Sequence, residues 1–549
     1  MFKKLILAVI CCIGICSSYA QSATEWQSDL RHLQNTVHEK YSNLFYNISE
    51  SDWDKVVEDF YKQIPGMNKT EILAGFIKLM ALFHIGHTQM NTFGLHGSSG
   101  NLQLHRFPFQ LYWFSDGIYI LRADKKYEQA VGGKITHIGK TNIEDAVEAV
   151  RPLVSYENEQ GFKSNSVFYL AIPELLKTQG IAKNTDEISV SYLKNGKTET
   201  TIFKADSNNN IFSMTGLETP AGWSVAQKVG DLPLWQKEPT AFRYMQYLPD
   251  TKTLYVRHSV TMDDGDKTIA GFFKTMVDFI DNNNVQKLIL DIRMNGGGNN
   301  NLNKAIVTSI IEARKINEHG KFFCIIGRRT FSAAQNLVNE LEKYTEVIFA
   351  GEPTSENVNF YGDTKTEILP ATGLEANLSW MWWQNLAATD KRKATLPKLS
   401  VDMSFTDYYN NDDPVINVIN AYDSQAAIEL KLRNLVDAEK YDSALAEVEE
   451  YLKDPLHQYF KNEIETKINS YGYSFIKNSK IEIANKVFNI NIQLFPESAN
   501  AYDSFAESLM YLGRNADAIK YYQMAVAKDK SGITAENSKK MIEKIKSGN

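Results

Sequence analysis

The pattern of hydrophobic and polar positions divides the chain into four stretches with different periodicities. Apolar residues recur every three or four positions over residues 21–95 and 425–549, which predicts amphipathic helices at both ends. Residues 105–205 alternate apolar and polar positions between turn residues, which predicts a β-rich domain. Over residues 210–420, apolar runs precede amphipathic helices, as in an α/β core. The pattern therefore predicts a multidomain α/β protein.

Within the α/β stretch, two apolar runs end in turns that are followed by helical spacing. The run at 288–292 leads into three glycines at 296–298. The run at 322–326 leads into a basic turn, and an amphipathic pattern over 333–344 places Ser332 at the start of a helix. Because open α/β folds place their chemistry at the carboxyl ends of their strands, we expect both turns at one edge of a sheet.

These two turns supply the groups that acyl transfer needs. A serine at a helix N-terminus lies among unpaired N–H groups and in a favourable dipole. The N–H groups of Gly297 (or its neighbour Gly296) and of Ala333 would then stabilise a tetrahedral oxyanion beside Ser332. Taken singly, a tight glycine turn and a helix-capping serine are the simpler interpretations. A phosphate loop is not indicated, because the glycines lack the lysine of that motif.

Four short motifs occur together and in a fixed order in this part of the chain. They are DIRMNGGG at 291–298, TFSAA at 330–334, GEPT at 351–354 and DDPV at 412–415. Together they resemble the core of the C-terminal processing, or tail-specific, serine peptidases, a superfamily that includes the tricorn core protease and the retinoid-binding repeats of the retina. The resemblance implies a ClpP/crotonase-like β/α core with Ser332 as the nucleophile.

The residue that would act as general base departs from the tail-specific pattern. In that branch a lysine stands three positions after the Thr of the Gly-Glu-x-Thr motif, and here the position holds Asn357. The tricorn-like branch implies a histidine instead, and His87 falls at its place, at the end of the last N-terminal helix. Histidine titrates near neutral pH and suits the role, although a turn-capping or partly buried histidine is the alternative. As the acidic partner that fixes the tautomer of the base, Asp390 is the nearest match.

The β-rich stretch carries a second resemblance. Residues 132–140, followed by a helix over 143–150, resemble the strand, turn and helix of a PDZ domain. PDZ domains capture peptide C-termini by strand addition. A partly helical insertion over 156–180 makes this domain only PDZ-like, and both peptide binding and a purely structural role remain open.

The C-terminal helices repeat with a fixed period. Ala484 and Phe488 recur 34 residues later as Ala518 and Tyr522. This is the period and pattern of tetratricopeptide repeats. Such repeats form a concave surface for a protein partner, while the alternative is a helical cap that stabilises the core.

Composition and charge narrow the functional classes. The net charge of −7 and the lack of a basic run argue against nucleic-acid binding. Residues 1–20 combine two lysines, a short apolar stretch and small residues before a cleavage point after Ala20, which predicts a signal peptide and no stable membrane insertion. Of the four cysteines, only Cys324 would remain in the mature chain, so no internal disulfide is expected.

We therefore expect a secreted serine peptidase of tricorn-like type, located in the periplasm or outside the cell. It would act on a peptide or protein substrate through a serine nucleophile and a histidine base, with no metal and no cofactor. Two alternatives stay open. One is a catalytically inactive peptidase-fold protein that binds a peptide or an apolar ligand, and the other is a repeat-based envelope scaffold.

Overall fold

The structure is a computed structural model of the 549-residue chain. It describes residues 22–92, 104–206, 213–423, 427–530 and 532–547, so the expected signal peptide at residues 1–20 lies outside the described residues. No helix in the described part of the chain combines the length and the apolar character needed to cross a membrane.

Three helices and a two-residue strand form the N-terminal part: α1 (Ala23–Lys40), α2 (Glu50–Gln63), α3 (Lys69–Ala81) and β1 (Gln89–Met90). Capping boxes start α1 and α3, in which Ser22 pairs with Glu25 and Asn68 with Glu71. Each box satisfies N–H groups that the first helical turn leaves unpaired. After α3 the chain turns sharply before it reaches β1, and His87 lies in this turn.

An antiparallel sheet follows, and helices are inserted between its strands. Its elements are β2 (Phe109–Phe114), β3 (Gly117–Asp124), β4 (Lys134–Ile138), β5 (Thr141–Asn142), α4 (Ile143–Val150), α5 (Glu159–Tyr169), α6 (Pro173–Thr178), β6 (Glu187–Lys194), β7 (Lys197–Lys204) and β8 (Trp223–Val225). The strand order is β2-β3-β4-β6-β7, with β5 on β4 and β8 on β3. We call it the second sheet. It shares one continuous hydrophobic core with the N-terminal helices.

The central sheet has six strands in the order β16-β13-β12-β11-β10-β9. Its elements and helices are β9 (Arg243–Leu248), β10 (Thr253–His258), α7 (Ile269–Asn282), β11 (Lys287–Asp291), α8 (Asn303–Glu312), β12 (Phe322–Ile326), α9 (Ala333–Tyr344), β13 (Ile348–Gly351) and β16 (Leu399–Ser400). Only β9 runs antiparallel to its neighbour; the strands from β10 to β16 are parallel.

Both faces of the central sheet are buried, and successive residues pack on opposite sides. Leu288 and Leu290 belong to one hydrophobic core, which includes residues of α7, α8 and α9. Ile289 lies in a separate core on the other face. Since side chains alternate along a strand, a strand buried on both sides is mostly apolar, as the run at 288–292 is apart from Asp291, which pairs with Arg293.

A hairpin and two short helices complete the middle of the chain: β14 (Asn359–Ile368), β15 (Glu375–Gln384), α10 (Phe405–Tyr409) and α11 (Pro414–Ala421). β1 adds to the hairpin through β15, pairing Gln89 with Asn377. This pairing brings the turn that carries His87 next to the segment between β13 and β14.

Seven helices form the C-terminal part: α12 (Ile428–Asp437), α13 (Tyr441–Lys453), α14 (Lys461–Lys477), α15 (Ile481–Leu494), α16 (Ala499–Tyr511), α17 (Asn515–Lys528) and α18 (Ile533–Ser547). From α14 onward each helix packs on the next. The four residues that repeat at 34-residue spacing, Ala484, Phe488, Ala518 and Tyr522, share one core. These helices have cores of their own, separate from the central sheet.

Candidate active site

Ser332 lies immediately before α9 with an unusual backbone conformation. Its φ is 56° and its ψ is −126°, a backbone conformation that residues other than glycine rarely adopt. Its hydroxyl makes no capping bond to the helix. Instead Oγ lies 2.9 Å from Nε2 of His87, a residue 245 positions away in the chain. The structure thus brings together the nucleophile and the base that the sequence predicts.

The turn that carries His87 is held by contacts from other elements. The hydroxyl of Ser155 donates to the carbonyl of Thr88 (2.8 Å). The N–H of Ser379, in β15, donates to the hydroxyl of the same Thr88 (3.2 Å). Neighbours on both sides therefore fix the residue next to His87, and the imidazole is placed by the fold rather than by local sequence alone.

Aromatic rings surround the imidazole of His87. The ring of Phe331 stacks on it with 4.4 Å between centroids, and the ring of Phe360 lies parallel to it at 5.9 Å. Only 12% of the His87 side chain is exposed. Burial lowers the pKa of His87 to about 4, so the imidazole is neutral at neutral pH. A neutral imidazole is the form that can accept a proton from serine.

A buried carboxyl group, that of Glu356, contacts both partners. Its Oε1 lies 3.1 Å from Nδ1 of His87, at ion-pair distance, although the angle does not make a well-formed hydrogen bond. Its Oε2 accepts the backbone N–H of Ser332. One side chain therefore lies against both the imidazole and the backbone of the nucleophile, and burial raises the pKa of its carboxyl group well above the usual range.

Asp390 does not contact His87 in the structure. Its carboxylate pairs with Arg392 at 2.8 Å, and Arg392 also pairs with Glu342. The acid beside the imidazole is Glu356, which the sequence interpretation overlooked. A signal was available, because Glu356 directly precedes Asn357, the position of the missing lysine.

A second buried carboxyl group, that of Glu157, adjoins this cluster. Its Oε2 accepts a hydrogen bond from the N–H of Asn357 (3.0 Å). Its Oε1 accepts a longer one, of 3.4 Å, from the N–H of Gly86. Burial, reinforced by the negative charge of Glu356, raises the pKa of Glu157 to about 8. At neutral pH Glu157 is therefore mostly protonated, and it adds little charge beside His87.

His87, Glu157 and Glu356 are also the residues that could hold a metal ion. Within the described ranges, one potential ligand atom from each lies within 4.8 Å of the others. One imidazole and two carboxylates form a donor set that zinc accepts. The same atoms already contact Ser332 and backbone N–H groups, so a bound ion would compete with the Ser332–His87 contact.

The glycine turn supplies N–H donors and space beside Ser332, but the individual glycines have different roles from those expected. The N–H of Gly297 donates to Oδ1 of Asn295 (2.9 Å), so it is already engaged. The N–H groups of Gly296 and Ala333 have no acceptor among the described residues. Gly297 has a φ of +107°, and a Cβ added to it would lie 2.7 Å from Cβ of Ser332. Its role is to let the turn approach the serine.

The side chain of Asn295 locks the glycine turn in place. Besides accepting from Gly297, it donates to the carbonyl of His258 (3.1 Å) and to the hydroxyl of Thr261 (3.1 Å). All of these groups are buried. The asparagine of the DIRMNGGG motif therefore sets the geometry of the turn from inside the core, a role that sequence analysis did not assign.

The remaining motif residues form buried ion pairs that brace the two turns. Arg328, in the basic turn, pairs with Glu352 of the GEPT motif and donates to the carbonyl of Trp113 in the second sheet (2.5 Å). Arg293 pairs with Asp413 of the DDPV motif (2.9 Å). Each pair is held in a fixed geometry away from solvent, so the motifs support the site rather than supply its chemistry.

Comparison with known proteins relates this arrangement to solved peptidase structures. No protein-family model and no curated protein matches the chain. Among solved structures, mature CPAF complexed with lactacystin is similar with a TM-score of 0.54 and 11% identity, covering 73% of this chain and 98% of that one. Mature CPAF alone gives a TM-score of 0.52 at 12% identity, covering 72% and 96%.

A more distant similarity is to the photosystem II D1 C-terminal processing protease, with a TM-score of 0.35 and 13% identity over 69% of this chain and 93% of that one. At such identities the CPAF comparison establishes the fold alone. The chain has the multidomain α/β fold of a peptidase, as the resemblance predicted.

Proposed function

We propose that this protein is a serine peptidase that hydrolyses peptide bonds in peptide or protein substrates. The observation that carries the proposal is the 2.9 Å contact between Oγ of Ser332 and Nε2 of a buried, neutral His87. A hydroxyl next to an imidazole that can take its proton is the basic requirement of acyl transfer through serine. The similarity to the CPAF fold supports the same class of reaction.

In the first half of the reaction, Oγ of Ser332 attacks the carbonyl carbon while Nε2 of His87 takes the hydroxyl proton. The oxygen that becomes negative is stabilised by the N–H of Ala333 and by that of Gly296, neither of which has an acceptor among the described residues. His87 then returns the proton to the leaving amine, and an acyl-enzyme remains on Ser332.

In the second half, His87 activates a water molecule that hydrolyses the acyl-enzyme. Glu356 faces Nδ1 of the imidazole, favours the tautomer with its free nitrogen toward Ser332, and stabilises the imidazolium that forms in each half. No step needs a metal ion or a cofactor.

Two further features of the proposal concern location and partners. The signal peptide expected at residues 1–20 supports export to the periplasm or the cell exterior. The C-terminal helix pairs that repeat at a 34-residue period support a surface for a protein partner.

Cleavage of a peptide library at pH 7 to 8 tests the activity, with Ser332→Ala and Ser474→Ala in parallel. Ser474 lies in α14, away from the site, and its hydroxyl bonds only to its own helix. We expect Ser332→Ala to lower kcat by about 10⁴-fold or more, and Ser474→Ala to cleave like the wild type. Equal cleavage by all three proteins would contradict the proposal.

A fluorophosphonate probe supplies an independent readout, because it forms a covalent bond only with an activated serine. Mass spectrometry should locate the adduct on Ser332 and find none in His87→Ala. If the wild type neither cleaves nor reacts, the non-catalytic alternative, binding of a peptide or an apolar ligand on the same fold, takes precedence.

A further inference from the structure

A cavity of about 250 Å³ lies between the second sheet and the central sheet. β2, β3 and α5 line one side of it, and the ends of β12 and β13, with the turns that follow them, line the other. Ser332, His87 and Glu356 do not line it, so the cavity is distinct from the candidate active site. We call it the interdomain cavity.

The lining of the interdomain cavity contains more cationic side chains than acidic ones. Six cationic side chains line it: Arg106, Arg122, Lys163, Arg293, Arg328 and Arg329. Arg293 and Arg328 have carboxylate partners. The other four form no ion pair with any described residue, and Glu352, the one acid in the lining, is already paired with Arg328. Four cationic side chains of the lining therefore have no ion-pair partner among the described residues.

Two of these arginines are buried with donors that have no acceptor. Arg106 is 4% exposed and Arg122 is 7% exposed. Nε and Nη1 of Arg106 and Nε of Arg122 lack a hydrogen-bond partner among the described residues, although the other two nitrogens of Arg122 donate to backbone carbonyls. The guanidinium of Arg106 lies over the ring of Phe168 at 3.9 Å. Burying charged donors without acceptors is costly, which favours an anion bound beside them.

Arg329 is the third unpartnered arginine, and it lies three residues before Ser332. It has no hydrogen bond and no ion pair within the described part of the chain. Its guanidinium lies over Gly216, where an added Cβ would come within 2.4 Å of Nη1. The absence of a side chain at Gly216 therefore makes room for the Arg329 head group at the cavity wall.

We propose that the interdomain cavity binds a small organic anion that carries a carboxylate or phosphate group on an apolar body. Guanidinium forks match the oxygen geometry of both groups. The apolar part would contact Leu111, Phe114, Val167, Trp235 and Val401, which also line the cavity. The volume lies just below the roughly 300 to 1,000 Å³ of common small-molecule pockets, so the ligand is small. This inference does not depend on the proposed peptidase activity.

The test measures binding to the full-length Ser332→Ala protein, so that catalysis plays no part. Calorimetry and thermal melting would be run with phenyl phosphate and with benzoate, and with phenol as the uncharged analogue. At least one of the two anions should bind and raise the melting temperature, while phenol should not. The anion that binds identifies the group.

Matched substitutions show whether binding occurs in the interdomain cavity. Arg329→Gln and Arg106→Gln should each raise the Kd by about tenfold or more, since each removes a charged hydrogen-bond donor. Arg514 is an exposed arginine directly before α17 and pairs with Asp517, so Arg514→Gln should leave the Kd unchanged. An equal loss in all three variants would overturn the assignment.

Two further outcomes would overturn the proposal. One is binding of a short peptide through its free C-terminal carboxylate, lost on amidation, while neither small anion binds. The other concerns the empty protein: Arg329→Gln should melt at or above the wild-type temperature, because it removes a half-buried charge that has no ion-pair partner among the described residues. A clearly lower melting temperature would make Arg329 a structural residue instead.

Discussion

Glu356 contacts the imidazole of His87 through one oxygen and the N–H of Ser332 through the other. Glu356→Gln keeps the size of this side chain but replaces its carboxyl group with an amide, which can neither take up nor release a proton beside the imidazole. We expect kcat to fall by about 10³- to 10⁴-fold with little change in KM, because the imidazolium loses its stabilising partner. Steady-state kinetics on a peptide substrate measures the effect.

Asp390→Asn is the control for this change. Because Asp390 pairs with Arg392 and not with His87, its replacement should leave kcat within about twofold of the wild type. A large loss in Asp390→Asn together with a small loss in Glu356→Gln would return the role to Asp390.

Glu157 makes stability depend on pH in a defined direction. Its folded-state pKa, about 8, lies above the ordinary value of 4.5, so the folded protein binds a proton that the unfolded chain releases. Its contribution is fully present below about pH 4.5 and is lost as pH rises toward 8. Glu157→Gln should therefore lose less melting temperature than the wild type between pH 5 and pH 8. Parallel slopes for the two proteins would show that Glu157 does not titrate in this way.

At the scale of single residues, sequence analysis identified Ser332 and His87, whose Oγ and Nε2 atoms lie 2.9 Å apart, but not Glu356 beside them. Ser332 and His87 stand in local patterns, a serine before an amphipathic helix and a histidine at a helix end. Glu356 stands in no periodic pattern. Its contact with His87 depends on β1 pairing with β15, which no local signal encodes.

At the scale of structural elements, the glycine turn has little room for a larger residue at Gly297. Gly297→Ala would place a Cβ 2.7 Å from that of Ser332 on a residue with φ of +107°. We expect cleavage to fall at least about 10²-fold, because a small displacement of the nucleophile or of the oxyanion donors is costly. Peptide cleavage and fluorophosphonate labelling should fall together.

Gly373→Ala is the matched control for this substitution. Gly373 has a φ of +71°, but an added Cβ there would meet no atom within 4 Å. It therefore shares the backbone strain without the collision, and its activity should stay near that of the wild type. Equal losses in the two variants would show that strain alone accounts for the effect.

β11 and β12 were predictable because burial on both faces makes these strands largely apolar. β11 and β12 lie where the runs at 288–292 and 322–326 indicate them, and α9 begins directly after Ser332. The bounds of the hairpin follow less directly from the sequence. Its second strand, β15, continues through the tryptophans to Gln384. An aromatic run on a half-exposed strand has no clean alternation that marks its end.

At the scale of the whole molecule, the hydrophobic cores show which parts of the chain pack together. The N-terminal helices, the second sheet and part of the hairpin share one core, while the C-terminal helices have two of their own. The segment between α13 and α14 contacts the central sheet, because Leu456 packs against its core and Gln458 donates to Ser400 at 2.8 Å.

A chain ending at residue 426 should therefore keep its activity on short peptides. We expect kcat/KM within about threefold of the full-length value, because no residue of the candidate site lies beyond Asp413 and the lost hydrogen bond is worth only about 1 kcal/mol. Loss of cleavage by a truncated protein that still unfolds cooperatively would place part of the substrate site on the C-terminal helices.

The arrangement of the modules could not be predicted from the sequence. In the lining of the interdomain cavity, Arg328 donates to the carbonyl of Trp113 in the second sheet, 215 residues away. Periodicity predicts the elements on each side of such a contact, but not the contact itself. The same holds for the shared core of the N-terminal helices and the second sheet.

Because Ser332 and His87 are 245 positions apart in the chain, they are synthesised at different times. A polypeptide emerging from the ribosome carries the histidine long before the serine, and neither is harmful without the other. With the proposed activity, a copy that is misfolded in either half lacks the Ser332–His87 contact and cannot cleave peptide bonds.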